Sequence, residues 1–244
     1  MSVVAPVARP YRSTAGLGRA LQILLACDAA VAAINVIGGI AAIGRIHAMT
    51  PFGSDVLLSG TIPRSLPLAL GALIGFVGLA AGIVWLVWQH RAQSNLFAMR
   101  VPGLSYTPGW SVGWWFVPVA NLWVPFLTTR ELWRGSGAGP GPRDRLLALW
   151  WFLWVATSVL SVVAGVVGFA AISRSATTGF IVGYRTSTLL ISREFTVATY
   201  AVRFGAALAA MLLVQRVDEA QAARVEQGIL VPPRPDPPRP DALV

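Results

Sequence analysis

The stretch GWSVGWWFVPVANLWVP, residues 109–125, decides how often the chain crosses a membrane. It is apolar enough for a bilayer, yet it contains Pro118, Pro125 and four of the chain's ten tryptophans. Each proline lacks a backbone N–H and disfavours helix at the residue before it. Carbonyls freed at mid-bilayer would find no water, whereas at the interface they stay hydrated. The stretch therefore predicts short pieces that lie in, or dip into, one leaflet.

The composition is typical of an integral membrane protein. Of the 244 residues, 55% are hydrophobic and 12% are charged, whereas a soluble domain carries roughly 25% charged residues. All 19 basic residues are arginine, and the net charge is +9. The arginines stand in small groups at the ends of apolar runs, as expected of topology signals near an anionic leaflet. We therefore expect lipid contact and no nucleic-acid binding.

Four apolar runs are long enough to cross a bilayer, and they lie at about residues 20–43, 66–88, 146–172 and 195–214. The aromatic stretch lies between the second and third runs, within a predicted interfacial segment at residues 109–134. The predicted organisation is a cytoplasmic arm at 1–19, a membrane domain at 20–217, a short cytoplasmic helix at 218–230 and a disordered proline-rich tail at 231–244.

The distribution of arginines favours four spans over five. If residues 109–125 cross, the two sides carry eight and ten arginines, and neither orientation is preferred. If they return to the side from which they came, the sides carry thirteen and five. The positive-inside rule then places both termini in the cytoplasm. In this topology all ten tryptophans lie toward the cytoplasmic headgroups, either as interfacial anchors or as a ligand-stacking site.

A long motif covers roughly residues 85–134 and resembles a known family. Its residues are Trp88, Arg91, Asn95, Trp110, Gly113, Trp114, Trp115, Pro118, Asn121, Pro125, Arg130 and Glu131. The pattern is similar to the actinobacterial multi-pass membrane family described as domain of unknown function 4328. That resemblance implies a location in the cell membrane of a bacterium and structural roles for the motif residues. It implies no activity.

Two charged residues lie inside predicted spans, Asp28 in the first and Arg203 in the last. Each costs roughly 2.5–3.5 kcal/mol near the bilayer centre, so such groups usually face inward and pair. We therefore predict an ion pair, with Asn35 on the same helix face as Asp28. Three interpretations remain open: a structural pair that fixes helix order, a polar centre for proton or solute movement, or an Arg203 that snorkels outward without contact.

Small residues are spaced regularly along two of the predicted spans. Such spacing lets helices approach closely, either within one chain or between copies, and we favour packing within the chain. The stripes are Gly71, Gly75, Gly78 and Gly82 in the second span, and Ser161, Gly165 and Gly168 in the third.

The sequence carries no recognisable catalytic or cofactor motif. Its two histidines, His47 and His90, are far apart, and there is no zinc-ligand cluster, nucleophile elbow or phosphate loop. We therefore predict no cofactor, no metal and no enzyme activity. Four motif residues could instead form a lipid-headgroup site or a structural hydrogen-bond network near the cytoplasmic headgroups: Arg91, Asn95, Arg130 and Glu131.

The predicted fold is an all-α bundle of four transmembrane helices, with an interfacial or re-entrant Trp/Pro-rich segment between the second and third helices. We expect a non-catalytic protein that engages lipid, a membrane-protein partner or a second copy of itself. One alternative is a small transporter or channel-like protein with a polar centre at Asp28, Asn35 and Arg203. The other is a membrane enzyme that acts on a lipid headgroup.

Overall fold

The computed structural model describes residues 10–49, 55–56, 65–139, 145–176 and 184–227. These residues form helices α1 Ala15–Met49, α2 Ser65–Ala98, α3 Pro108–Gly113, α4 Val124–Ser136, α5 Arg145–Ala176 and α6 Thr186–Glu226. Two 3-10 turns, Trp114–Phe116 and Ala120–Leu122, lie between α3 and α4. Strands β1 Asp55–Val56 and β2 Tyr184–Arg185 pair antiparallel over two residues. The fold is otherwise helical, as predicted.

Within the described residues, three helical stretches are long and apolar enough to cross a membrane: Ala15–Ala48, Arg145–Val166 and Leu190–Glu226. Their apolar side chains also point outward, with Ile34, Phe152 and Val166 each more than 60% exposed. A long helix that is apolar on all sides is typical of a lipid environment, since water would oppose such exposure. The second predicted span, 66–88, lies within the 34-residue α2.

The helices extend beyond the apolar runs that predicted them. Helix α2 continues ten residues past Trp88 to Ala98, through the polar and mixed stretch that follows the second predicted span. Helix α6 continues without a break to Glu226, so residues 218–226 form its end. The cause is that polar side chains in both extensions are buried and hydrogen-bonded, as described below. The predicted tail at 231–244 lies outside the described residues.

The chain divides into two compact units. The first, here the polar-core unit, comprises Met1–Gly16, Leu86–Pro140 and Gln215–Val244. The second, here the long-helix unit, comprises Leu17–Trp85 and Gly141–Val214. Helices α2 and α6 contribute residues to both units.

Close helix packing in the long-helix unit occurs at glycines other than those of the predicted stripes. At Gly39 of α1, an added methyl group would overlap the side chain of Val197 on α6. At Gly205 of α6, an added Cβ would lie 3.4 Å from Leu153 on α5. Glycine at position 39 therefore sets how closely α1 approaches α6, whereas an added Cβ at Gly205 would make only ordinary van der Waals contact.

The predicted packing of the glycine stripes within the chain is wrong where their surroundings are described, except at Gly78. An added Cβ would meet nothing within 4 Å at Gly75, Gly82 or Gly165. All three positions are exposed, because their helix faces point away from the rest of the unit. Gly71 and Gly168 lie outside the residues whose surroundings are described.

Candidate functional site

The centre of the polar-core unit is the buried amide of Gln89 on α2, which joins three successive pieces of the chain. Its Nε2 donates to the carbonyl of Ser111 at 3.2 Å and to Oγ1 of Thr128 at 3.1 Å. Its Oε1 accepts from the indole N–H of Trp115 at 3.0 Å. One side chain thus ties α3, the first 3-10 turn and α4 to α2.

One helical turn further along α2, Gln93 and Glu131 hold the loop that precedes α3. Gln93 donates to Oε1 of Glu131 at 2.8 Å and to the carbonyl of Tyr106 at 3.0 Å. Glu131 accepts the backbone N–H groups of Ser105 at 2.7 Å and Tyr106 at 3.2 Å. The negative charge of Glu131 is therefore used to order a loop, since charge-assisted hydrogen bonds are among the stronger ones.

Asn95 binds the N-terminal arm as a peptide group would. Its Oδ1 accepts the N–H of Arg12 at 3.1 Å, and its Nδ2 donates to the Arg12 carbonyl at 3.0 Å. The same Nδ2 donates to Oε1 of Gln221 on α6 at 2.9 Å. Gln221 in turn donates to the carbonyl of Ala92 and to Oγ of Ser136, both at 3.0 Å. The arm, α2, α4 and α6 share one buried network.

Asp218 on α6 provides a second attachment for the arm. Its Oδ1 accepts from Oγ1 of Thr14 at 2.6 Å and from the indole N–H of Trp88 at 2.9 Å. Partial burial raises the pKa of the nearby Tyr11 hydroxyl, and the Asp218 carboxylate raises that pKa further. The neutral phenol is therefore the form that this arrangement favours.

Four tryptophans are core residues, so the anchoring role, one of the two that the sequence left open for the tryptophans, does not apply to these four. They are at most 7% exposed: Trp85, Trp88, Trp133 and Trp150. The rings of Trp85 and Trp150 stack with centroids 5.0 Å apart. An indole ring buries a large apolar area, so a packed core competes with the interface for it.

The aromatic segment, residues 109–125, has the reverse of the usual burial pattern. Apolar side chains on this segment are 36–71% exposed, namely Trp110, Phe116, Val117, Val119, Leu122 and Trp123. The polar side chains of Ser111 and Thr128, one within the segment and one just beyond it, are fully buried. Both hydroxyl groups are satisfied from within the protein, because Ser111 Oγ donates to the carbonyl of Pro108 at 2.8 Å and Thr128 Oγ1 accepts from Gln89 at 3.1 Å.

The helical structure of the segment is interrupted near Pro118 and Pro125, as predicted, but the backbone conformation differs between the two prolines. Pro125 lies in the first turn of α4, as expected of a residue that needs no helical N–H partner. Pro118 does not begin a helical piece. Its carbonyl accepts the N–H of Ala120 at 2.7 Å across Val119, whose φ is 67° and ψ −55°. This tight turn is an uncommon conformation for a β-branched residue.

The other motif residues of the segment have local structural roles. The rings of Trp110 and Trp114 pack with centroids 5.1 Å apart. An added Cβ at Gly113 would lie 3.2 Å from the Trp110 ring, so glycine leaves room for that indole. Among the described residues, the buried Oδ1 of Asn121 has no hydrogen-bond partner.

The four residues that were predicted to form one site near the headgroups lie in two separate clefts. Arg91 and Asn95 line one cleft, of about 340 Å³, together with Arg12 and His90. Arg130 and Glu131 line another, of about 490 Å³, together with the loop 101–106. A single headgroup site made of all four residues is therefore wrong. Asn95 and Glu131 belong to structural networks, and the arginines line separate clefts.

In the long-helix unit, the structure brings Asp28 and Arg203 together. Arg203 Nε donates to Oδ1 and Oδ2 of Asp28 at 3.1 and 3.0 Å, and Nη2 also contacts the carboxylate. The guanidinium lies against α2, since an added Cβ at Gly78 would be 3.3 Å from Nη2. Asn35 does not join the pair; its amide donates to the Val31 carbonyl of its own helix at 2.9 Å. The predicted three-residue centre is thus a two-residue pair.

The residues that organise the polar-core unit are not among those that the sequence motifs singled out. They are Thr14, Gln89, Gln93, Asp218 and Gln221. A signal was present, because Gln89 and Gln93 are four residues apart and share one face of a helix directly after an apolar run. The remaining three lie far from them in sequence, so no local pattern connects them.

Long apolar helices combined with a buried amide network define the class: an all-helical protein suited to a membrane. The chain belongs to the family described as domain of unknown function (DUF4328), whose model matches residues 62–219. No curated protein and no solved structure matches the chain. Among the described residues, no group of three His, Cys, Asp or Glu side chains could hold a metal ion.

Proposed function

We propose that the chain is a non-catalytic membrane protein of four spans, whose aromatic segment engages the lipid of the cytoplasmic leaflet. In this proposal it resides in the plasma membrane of a bacterium with both termini cytoplasmic. The observation that carries the proposal is the burial pattern of residues 109–125, where six apolar side chains are 36–71% exposed while the side chain of Ser111 is fully buried. A contiguous apolar surface of this kind is typical of contact with a membrane or with another protein.

The lengths of the pieces support an interfacial position. Helix α3 has six residues and α4 has thirteen, whereas a crossing helix needs roughly 20. Exposed indoles, as at Trp110 and Trp123, are favoured at the headgroup level. The arginine asymmetry of thirteen to five supports a cytoplasmic position for the segment.

An environment-sensitive fluorophore on single cysteines tests this proposal. In a Cys27→Ser background, Phe116→Cys and Leu122→Cys label the exposed face of the segment, and Ala222→Cys on the exposed side of α6 is the control. In liposomes, we expect lipids carrying a shallow nitroxide to quench the first two labels more than lipids carrying a deep one, with the control quenched by aqueous iodide.

Three results would contradict the proposal. Stronger quenching of the Phe116 and Leu122 labels by the deep nitroxide would mean that the segment crosses the bilayer. Iodide quenching equal to that of the Ala222 label would mean that it lies in water. Protection from both iodide and lipid nitroxides would indicate that a protein partner or a second copy covers the surface, and would overturn lipid engagement.

The Asp28–Arg203 pair favours a second candidate function, a small transporter. Ionisable pairs within spans often belong to ion or proton pathways, and this one contacts three helices. In pyranine-loaded proteoliposomes, a transporter would carry a proton flux that Asp28→Asn abolishes. Equal flux in empty liposomes and in liposomes with the wild-type protein would reject proton transport.

A further inference from the structure

The cleft lined by Arg12 and Arg91 combines positive charge with an apolar wall. One side comes from α2, where Val87, His90, Arg91 and Ser94 share a helix face at spacings of three, four and seven residues. Over about 10 Å of helix the face changes from apolar at Val87 to basic and then polar. The apolar run of the second predicted span also ends at this point.

The opposite side of the cleft comes from the N-terminal arm, and it is fixed in place. The backbone N–H and carbonyl of Arg12 are both hydrogen-bonded to Asn95, so the arm cannot move away without breaking these two partly buried hydrogen bonds. The side chain of Arg12 is exposed, and that of Arg91 is half-buried. Fixing the backbone reduces the conformational entropy that a bound ligand would otherwise have to remove.

The positive charge of the cleft is not neutralised by any residue that the structure describes. Neither Arg12 nor Arg91 forms an ion pair with a described residue, whereas Arg203 does. His90 lines the same wall. Two guanidinium groups present planar sets of N–H donors that match the oxygens of a phosphate.

We propose that this cleft binds the phosphate of an anionic phospholipid, with Arg12 and Arg91 on the phosphate and Val87 against the start of an acyl chain. The inference deepens the proposed function and rests on it, since it requires this end of α2 to lie at the cytoplasmic headgroups. An amphiphile fits better than a free anion, because the basic groups and the exposed Val87 line one continuous cleft of about 340 Å³.

Thermal stabilisation of the full-length protein in detergent micelles tests the site. The probes are dihexanoyl phosphatidylglycerol, dihexanoyl phosphatidylcholine and inorganic phosphate. The variants are Arg12→Gln and Arg91→Gln, with Arg216→Gln on the exposed side of α6 as a control of equal charge. We expect phosphatidylglycerol to raise the Tm of the wild-type protein, and each cleft variant to weaken its apparent Kd by about tenfold. The control should match the wild type.

Three outcomes overturn the inference. Equal weakening in Arg216→Gln would indicate a diffuse electrostatic effect. If phosphatidylcholine stabilises the protein as much as phosphatidylglycerol does, the cleft does not select an anionic headgroup. If inorganic phosphate does so, the cleft is a site for a free anion. If Arg91→Gln does not fold, Arg12→Gln alone decides, because the Arg12 side chain is exposed. The fluorophore experiment on Phe116 and Leu122 is independent, so an interfacial segment with no phosphatidylglycerol effect rejects this site only.

Discussion

Arg203 donates from Nε to both carboxylate oxygens of Asp28, which joins α6 to α1 inside the long-helix unit. Removal of one partner leaves the other charge uncompensated, which costs about 3–5 kcal/mol for a fully buried pair. Because the Arg203 and Asp28 side chains keep 29% and 13% exposure, we expect roughly 1–3 kcal/mol for Arg203→Leu. Denaturant unfolding in micelles measures the loss.

Two further variants complete this test. Adding Asp28→Asn to Arg203→Leu should recover part of the stability, since it removes the uncompensated charge. The control is Arg193→Leu, at an exposed arginine of the same helix, which should have little effect. If Arg203→Leu leaves stability and membrane yield unchanged, and Asp28→Asn adds nothing to it, the ion pair has no structural role.

Gly78 and Gly82 provide a matched pair of substitutions on α2. A side chain at Gly78 would press on the Arg203 guanidinium, whereas one at Gly82 would meet nothing within 4 Å. We expect Gly78→Leu to lower stability by roughly 1–3 kcal/mol, as overpacking does, and Gly82→Leu to be tolerated. The Tm in micelles distinguishes the two variants. Equal effects would mean that the position of Arg203 does not depend on Gly78.

Much of the fold could be predicted from local chemistry, because proline and hydropathy act locally. The long apolar helices follow from the apolar runs, and the breaks near Pro118 and Pro125 follow from the missing N–H groups. The helix ends could not be predicted, because α2 persists to Ala98 through partners such as Glu131, which are distant in sequence. An apolar run therefore marks where a helix can lie in lipid but not where the helix ends.

Glu131 orders the loop before α3 by accepting two backbone N–H groups. Glu131→Ala would leave those groups of Ser105 and Tyr106 without that acceptor, at a cost of about 1–3 kcal/mol. We expect hydrogen exchange at residues 105 and 106 to accelerate by about tenfold or more. Glu219→Ala, which removes an exposed carboxylate from α6, is the control. Unchanged exchange at residues 105 and 106 in the Glu131 variant would contradict this role.

Tyr11, in the N-terminal arm, is expected to make the stability of the folded protein depend on pH in the alkaline range. Burial and then Asp218 raise the pKa of its hydroxyl, so the folded state favours the neutral phenol. That stability is fully present below the ordinary tyrosine pKa of about 10 and is lost as pH rises through the raised value. We expect the Tm to fall more steeply above pH ~10 in the wild-type protein than in Tyr11→Phe. Parallel curves would show that Tyr11 does not couple folding to pH.

The polar core illustrates what the sequence could not reveal. Asn95 meets Arg12 across 83 positions and Gln221 across 126, so no spacing rule connects them. The pairing of Asp28 and Arg203 was predictable because two isolated charges in apolar spans have few other solutions. Buried amides have many possible partners, since glutamine and asparagine side chains can hydrogen-bond to any accessible backbone group.

The central claim is that residues 109–125 return to the cytoplasmic side, and cysteine accessibility in intact cells tests it most directly. In the Cys27→Ser background, Ala138→Cys follows α4, and Ala48→Cys lies near the exposed end of α1. The proposed topology predicts that an impermeant maleimide added outside labels Ala48→Cys and labels Ala138→Cys only after permeabilisation. Labelling of Ala138→Cys in intact cells would contradict the topology and, with it, the interfacial position of the aromatic segment.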